Sequence, residues 1–92
     1  MKISRHKQFK KDFAKHFKTM QDKHFQSFIN AVSILANGKE LPPEYKDHQL
    51  KGKLSKFREF HIGGDLLVIY AIENDVIYLL RIGTHSELFG DN

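Results

Sequence analysis

Phe57-Arg58-Glu59-Phe60-His61-Ile62, then Gly63-Gly64-Asp65, then Leu66-Leu67-Val68-Ile69-Tyr70-Ala71-Ile72 is the stretch that decides the fold. Its first six residues alternate, so Phe60 and Ile62 share one face of a strand and Glu59 and His61 the other. Two glycines and an aspartate supply a turn. The seven apolar residues after it read as a central strand buried on both faces. Glu73-Asn74-Asp75 is a second turn, and Val76 to Ile82 completes an antiparallel meander. Gly83-Thr84-His85-Ser86 leaves that strand, and Glu87-Leu88-Phe89 closes the chain.

Upstream of Phe57 the period is helical. Phe9, Phe13 and Phe17 recur every four residues with Lys10, Lys11, Lys15 and Lys18 between them, which predicts an amphipathic helix. Gln21-Asp22-Lys23 breaks the pattern. Phe25, Phe28, Ile29, Val32, Leu35 and Ala36 then form the apolar stripe of a second helix, and Asn37-Gly38 stops it. So short a turn makes the pair an antiparallel hairpin. A short strand is expected at about Lys2–Ser4, an extended linker at Leu41-Pro42-Pro43-Glu44, and a polar, basic loop from Tyr45 to Lys56. Helices followed by strands predict an α+β fold: an opening strand and a two-helix hairpin packed on a C-terminal antiparallel β-meander, with the other sheet face free to carry a site.

Ninety-two residues leave room for one domain, spanning 1–92. A hydrophobic fraction of 40% and a charged fraction of 28% exclude a disordered tail. No apolar run approaches the roughly 20 residues of a membrane span. The start, Met1-Lys2-Ile3-Ser4-Arg5-His6-Lys7, does not read as a secretory signal. The absence of cysteine rules out disulfides, zinc–cysteine sites and thiol catalysis, and a cytoplasmic protein without cofactor is expected. The net charge of +4 is uneven: residues 1–24 hold eight Lys/Arg against Asp12 and Asp22, a balance of +6, and the remainder is −2. That balance suits a polyanion, or simply a solvated helix face. A second basic group, Lys46, Lys51, Lys53, Lys56 and Arg58, lies among histidines and aromatics, as RNA binding requires.

Of the six histidines, His6, His16 and His24 belong to the helical half and read as structural or solvated. His48 in the basic loop, His61 on the non-core side of a strand and His85 beyond a strand end are able to converge on one sheet edge. Glu59, Asp65 and Arg81 join them. A lone arginine within Ile77-Tyr78-Leu79-Leu80-Arg81-Ile82 calls for an anionic partner, either a carboxylate such as Glu59 or a phosphate. Histidines, acids and an arginine are the parts of a metal-free ribonuclease. A base frees the ribose 2′-hydroxyl to attack the adjacent phosphate, an acid protonates the departing 5′-oxygen, and cations stabilise the phosphorane. The plainer alternative is that the histidines cap backbone groups while Arg81 pairs with Glu59. A zinc site is the weaker reading, because the histidines lack ligand spacing and no cysteine assists.

Leu41-Pro42-Pro43-Glu44-Tyr45-Lys46-Asp47-His48-Gln49-Leu50-Lys51-Gly52 resembles the L-P-x-x-Y-x-D-H-x-L-x-G stretch of YafQ-type toxins in the RelE/ParE superfamily. Phe57-Arg58-Glu59-Phe60-His61, Asp65 and Leu67-Val68-Ile69-Tyr70 are similar to the next two strands of that group. Arg81-Ile82-Gly83-Thr84-His85-Ser86-Glu87-Leu88-Phe89-Gly90 resembles its R-x-G-[ST]-H-x-x-L-F ending. The likeness is continuous over the last half of the chain, whereas the helical half agrees in layout and basic character. It implies a RelE-like fold and the toxin of a type II toxin–antitoxin system: an mRNA interferase that enters the A site of the 70S ribosome and cleaves the message without a metal. Its partners would be mRNA, the ribosome and a cognate antitoxin, DinJ-like or another acidic, DNA-binding protein, with no membrane.

Carried over by position, the functional residues are His48, His61, Asp65, His85 and Phe89, with Glu59 where the group often has Asp. The resemblance makes His85 the general acid, His48 or Asp65 the base, and Phe89 a stacking surface for a nucleobase, left open by Gly90-Asp91-Asn92. His61 and Arg81 would hold the phosphate, and Lys10, Lys11, Lys15 and Lys18 would meet ribosomal RNA. Two other readings remain: a gyrase-binding toxin of the ParE branch, which has no need of the histidines, and a plain RNA-binding module.

Overall fold

The computed structural model describes residues 1–90; Asp91 and Asn92, which the sequence reading placed in an open C-terminal end, lie outside them. The elements run β1 (Lys2–Arg5), α1 (Lys7–Phe17), α2 (Asp22–Ala36), β2 (His48–Gln49), β3 (Arg58–Gly63), β4 (Leu66–Glu73), β5 (Val76–Thr84) and α3 (His85–Phe89). Single 3₁₀ turns at Pro43–Tyr45 and Gly52–Leu54 flank β2. The expected meander is present as β3–β4–β5, within a five-stranded sheet of order β1-β5-β4-β3-β2. That sheet is mixed, because β1 pairs parallel to β5.

His6 caps α1, its Nδ1 accepting from the Gln8 amide at 3.1 Å. The phenylalanine rings then fix the hairpin: Phe9 meets Phe28, Phe13 meets both Phe25 and Phe28, and Phe17 meets Phe25. Rising positions in α1 thus meet falling positions in α2, as antiparallel helices require. The stripe weakens along α1, since Phe9 is buried and Phe17 is 53% exposed. At the end of α2, Gly38 adopts φ 72°, and the Gly38 and Lys39 amides donate back to Leu35 and Ile34 at 2.9 and 3.2 Å. Both free carbonyls are thereby satisfied.

The core lies between the hairpin and one sheet face. Phe9, Ala31, Val32 and Leu35 pack on Phe60, Ile62, Val68, Tyr70, Ile77, Leu79 and Ile82. β4 is buried on both faces only over Leu67–Tyr70; farther along, Ile72 is 44% exposed, so the central-strand reading holds for the first half of the strand. The expected loop over 45–56 contains β2, and its two residue pairs, His48 with Glu59 and Gln49 with Arg58, bring the basic segment onto β3. The β3–β4 turn is closed by Gly63 at φ 121° and Gly64 at φ 57°, with the His24 ring lying against both.

Candidate active site

The β2–β3 register puts His48 directly across from Glu59. Glu59 faces away from the core occupied by Phe60, yet it is buried, with only 4% of its surface exposed. Its Oε1 lies 3.0 Å from His48 Nε2 and 3.4 Å from His61 Nε2, so one carboxylate joins two imidazoles whose centroids are 6.4 Å apart. Its Oε2 is buried without a hydrogen-bond partner. Lys46, held at φ 51°, presents its carbonyl to His48 Nδ1 at 2.8 Å. That nitrogen therefore carries a hydrogen, and Nε2 is the one free to exchange a proton.

A cavity of about 340 Å³ opens beside this pair, lined by His48, Leu50, Lys51, Leu54, Glu59, His85 and Phe89. His85 is the first residue of α3 and Phe89 the last, one turn apart, with ring centroids at 4.9 Å. Thr84 caps this helix: its hydroxyl accepts from the Glu87 amide at 3.2 Å, and Glu87 Oε1 accepts from the Thr84 amide at 2.8 Å. Among the described residues no group of three or more His, Asp or Glu side chains is arranged to hold a metal ion.

Several expected site residues are placed elsewhere. Arg81 does not reach Glu59; Asp12 of α1 takes its guanidinium at 2.7 and 3.2 Å and also accepts the Ile82 amide at 3.2 Å. The physical reason is the short β1, which ends opposite Leu79 and leaves the Ile82 amide of β5 for Asp12 to satisfy. Asp65 is exposed in the β3–β4 turn and makes no hydrogen bond or ion pair among the described residues. Arg58 alternates with Glu59 and so turns to the opposite side, where Asp47 accepts from its Nε at 3.3 Å and from the Tyr70 hydroxyl at 2.8 Å. Burial and Asp47 together push the Tyr70 hydroxyl up. Lys51 lines the cavity, whereas Lys53 and Lys56 are exposed on the loop.

Lys10 and Lys11 on α1 and Lys18 just past its end are exposed, but Lys15 is bound to Glu87 at 2.7 Å and is not a free cation. His16, read from sequence as solvated, instead meets Glu87 Oε1 at 2.8 Å with its side chain 16% exposed. The sequence reading missed Asp12, Asp47, Thr84 and Glu87. Thr84-His85-Ser86-Glu87 carries the capping-box signature and was legible as such.

Two helices on one face of a mixed five-stranded sheet, with imidazoles gathered around a buried carboxylate away from the core, define a small α+β toxin of the RelE-like class. Within that class, the chain belongs to the YafQ family, bacterial toxins of type II toxin–antitoxin systems, whose model matches residues 1–90. It is 31% identical over 91 residues to the mRNA interferase toxin YafQ of Escherichia coli K12, covering 96% of this chain and 99% of that protein. A metal-bound toxin from Helicobacter pylori superposes with a TM-score of 0.86 at 41% identity, over 97% of this chain and 99% of its own. The structure of the E. coli DinJ–YafQ complex matches with a TM-score of 0.84 at 31% identity, over 96% and 97%.

Proposed function

We propose that this toxin is a ribosome-dependent endoribonuclease that cleaves mRNA in the A site by general acid–base transesterification, acting as one domain over 1–92 in the cytoplasm. The observation that carries the reading is the contact of His48 Nε2 with Glu59 Oε1 beside a cavity that also holds His85. His48 is the base: held through Nδ1 by Lys46, it takes the 2′-hydroxyl proton at Nε2. That proton arrives 3.0 Å from a carboxylate oxygen, which stabilises the imidazolium. The freed 2′-oxygen bonds to phosphorus, the bond from phosphorus to the 5′-oxygen breaks, and His85 donates the proton that the leaving oxygen needs. His61, sharing Glu59, contributes positive charge to the phosphate region. Phe89 offers its ring to a nucleobase, and Lys51 offers a cation to the backbone. The arrangement favours His48 over Asp65 as base, since Asp65 stands apart from the cluster.

Support for RNA as substrate comes from the relatives named mRNA interferases. No observation favours the gyrase-binding alternative. By analogy with the DinJ–YafQ complex, an acidic antitoxin is the expected neutralising partner, drawn to the basic helical half. Primer extension on an abundant message after brief induction tests the reading. Wild type should give discrete cuts with 5′-hydroxyl and 2′,3′-cyclic phosphate ends, and His85→Ala should give none. Ribosome binding without cuts from the wild type would select an RNA-binding module instead.

A further inference from the structure

A five-residue helix does not hold itself in place, because helix nucleation costs more than one turn of hydrogen bonds returns. Yet α3 bears both His85 and Phe89, the two groups that line the cavity from this side. One side chain ties it to a distant helix. Glu87 Oε1 accepts from the Thr84 amide at 2.8 Å and meets His16 Nε2 at 2.8 Å, while Oε2 accepts from Lys15 Nζ at 2.7 Å. Both partners sit on α1, more than seventy residues away in sequence.

The anchor is itself anchored. Asp12, three and four residues before Lys15 and His16, lies on the same face of α1 and ties that face to Arg81 and the Ile82 amide of β5. Gly83 completes the seat: a methyl group there would come within 2.9 Å of Glu87 Oε1 and 3.3 Å of Leu88 Cδ2, so α3 packs directly on the strand backbone. One face of α1 thus grips the β5–α3 junction through Asp12, Lys15 and His16.

We propose that Glu87 is a positioning residue: by binding Lys15 and His16 of α1, it sets the orientation in which α3 presents His85 and Phe89 to the cavity. Glu87 touches neither ring, and its action is through the helix. The inference rests on the nuclease reading for its rate measurement and is independent of it for its structural one. Rates should respond steeply, since misplacing a reacting group by about 1 Å costs on the order of 100-fold.

The test uses the full chain with Glu87→Gln and, separately, Lys15→Gln combined with His16→Gln, which leaves the sequence of α3 untouched. Imidazole NMR signals of His85 and the His85–Phe89 ring contacts are followed alongside single-turnover cleavage on programmed ribosomes. Both variants should move the His85 signals, weaken the ring contacts and slow cleavage about 10- to 100-fold, with half-saturating toxin concentration changed less than about two-fold. Glu87→Asp should recover part of the rate. Unmoved His85 signals in both variants overturn the proposal, as does a loss confined to ribosome affinity. If the wild type cuts no message at all, the nuclease reading falls while the NMR comparison still decides the role of Glu87.

Discussion

Glu59 Oε1 stands 3.0 Å from His48 Nε2, and the other oxygen of that carboxylate is buried against nothing that donates to it. An unsatisfied, buried carboxylate oxygen costs on the order of 1–3 kcal/mol or more. The fold carries that cost one strand away from a loop where an exposed glutamate would be free of it. A buried polar atom left unpaired calls for an explanation, and a catalytic role is one. This glutamate reaches both His48 and His61 from a single oxygen.

Glu59→Gln is therefore expected to separate stability from activity. The amide keeps the shape and removes the buried charge, so urea denaturation should show stability equal to the wild type or up to about 2 kcal/mol higher. Cleavage on programmed ribosomes should drop at least about 10-fold, since the imidazolium formed on His48 loses its counter-charge. A destabilisation above about 2 kcal/mol with activity retained would make Glu59 a brace between β2 and β3 instead.

At the opposite end of β3, Gly63→Ala should be costly. Its φ of 121° is closed to residues with a side chain, and an added methyl group would meet the His24 ring, with Nε2 at 2.7 Å. We expect a loss of about 2–4 kcal/mol in urea denaturation. Adding His24→Ala should return only part of it, because the ring contact is relieved and the backbone strain is not. A cost below about 1 kcal/mol for Gly63→Ala alone would show that the turn relaxes freely.

The alternation through Phe60 and Ile62, the every-fourth-residue phenylalanines and the Asn37-Gly38 stop are local periodicities, and each led to the right element. β2 escaped because two residues carry no period, and its existence depends on pairing with β3. That pairing is also what assembles His48 with Glu59, so the site's residues were legible and their junction was not. Arg81 shows the same limit. A charge inside a strand signals that a partner exists, but Asp12 lies sixty-nine residues away and only the docking of α1 against the end of β5 selects it. His16 was misread because periodicity reports which face a residue occupies, not what approaches that face.

The exposed lysines of α1 give a prediction about binding. Lys10, Lys11 and Lys18 together changed to Gln should weaken ribosome association and lower the slope of log affinity against log salt by roughly 0.7–0.9 per cation that meets a phosphate. Lys15→Gln alone should leave that slope unchanged, since its ammonium is already held by Glu87. Sedimentation with ribosomes across a salt series measures both. If the triple variant associates as the wild type does, the three lysines serve solubility alone.

Acid stability reports on the contacts that α1 makes with the β5–α3 junction. Lys15 and the Thr84 amide, with a lesser part from His16, draw the Glu87 carboxyl down to about 2 from its usual 4.5 against the opposing effect of burial. Burial alone would raise Asp12, but hydrogen bonds from Arg81, Gln8 and the Ile82 amide outweigh it and hold that carboxyl below 3.8. In both cases the unfolded chain binds the proton more readily than the folded one, so stability increases with pH. The contribution of Glu87 is complete above about pH 4.5 and is lost as the pH falls toward about 2. Urea midpoints measured from pH 6 to pH 2 should therefore fall more steeply for the wild type than for Glu87→Gln, with the gap between them narrowing below pH 4.5. Asp12→Asn should cost about 1–3 kcal/mol near neutrality, where Arg81 is left without its carboxylate, and less at the acid end. Added salt should shrink the Glu87 effect more than the Asp12 effect, because the Lys15 side chain is 70% exposed while Asp12 is 11% exposed. Parallel acid profiles for the wild type and Glu87→Gln would mean that Lys15 and His16 do not hold the carboxylate in solution.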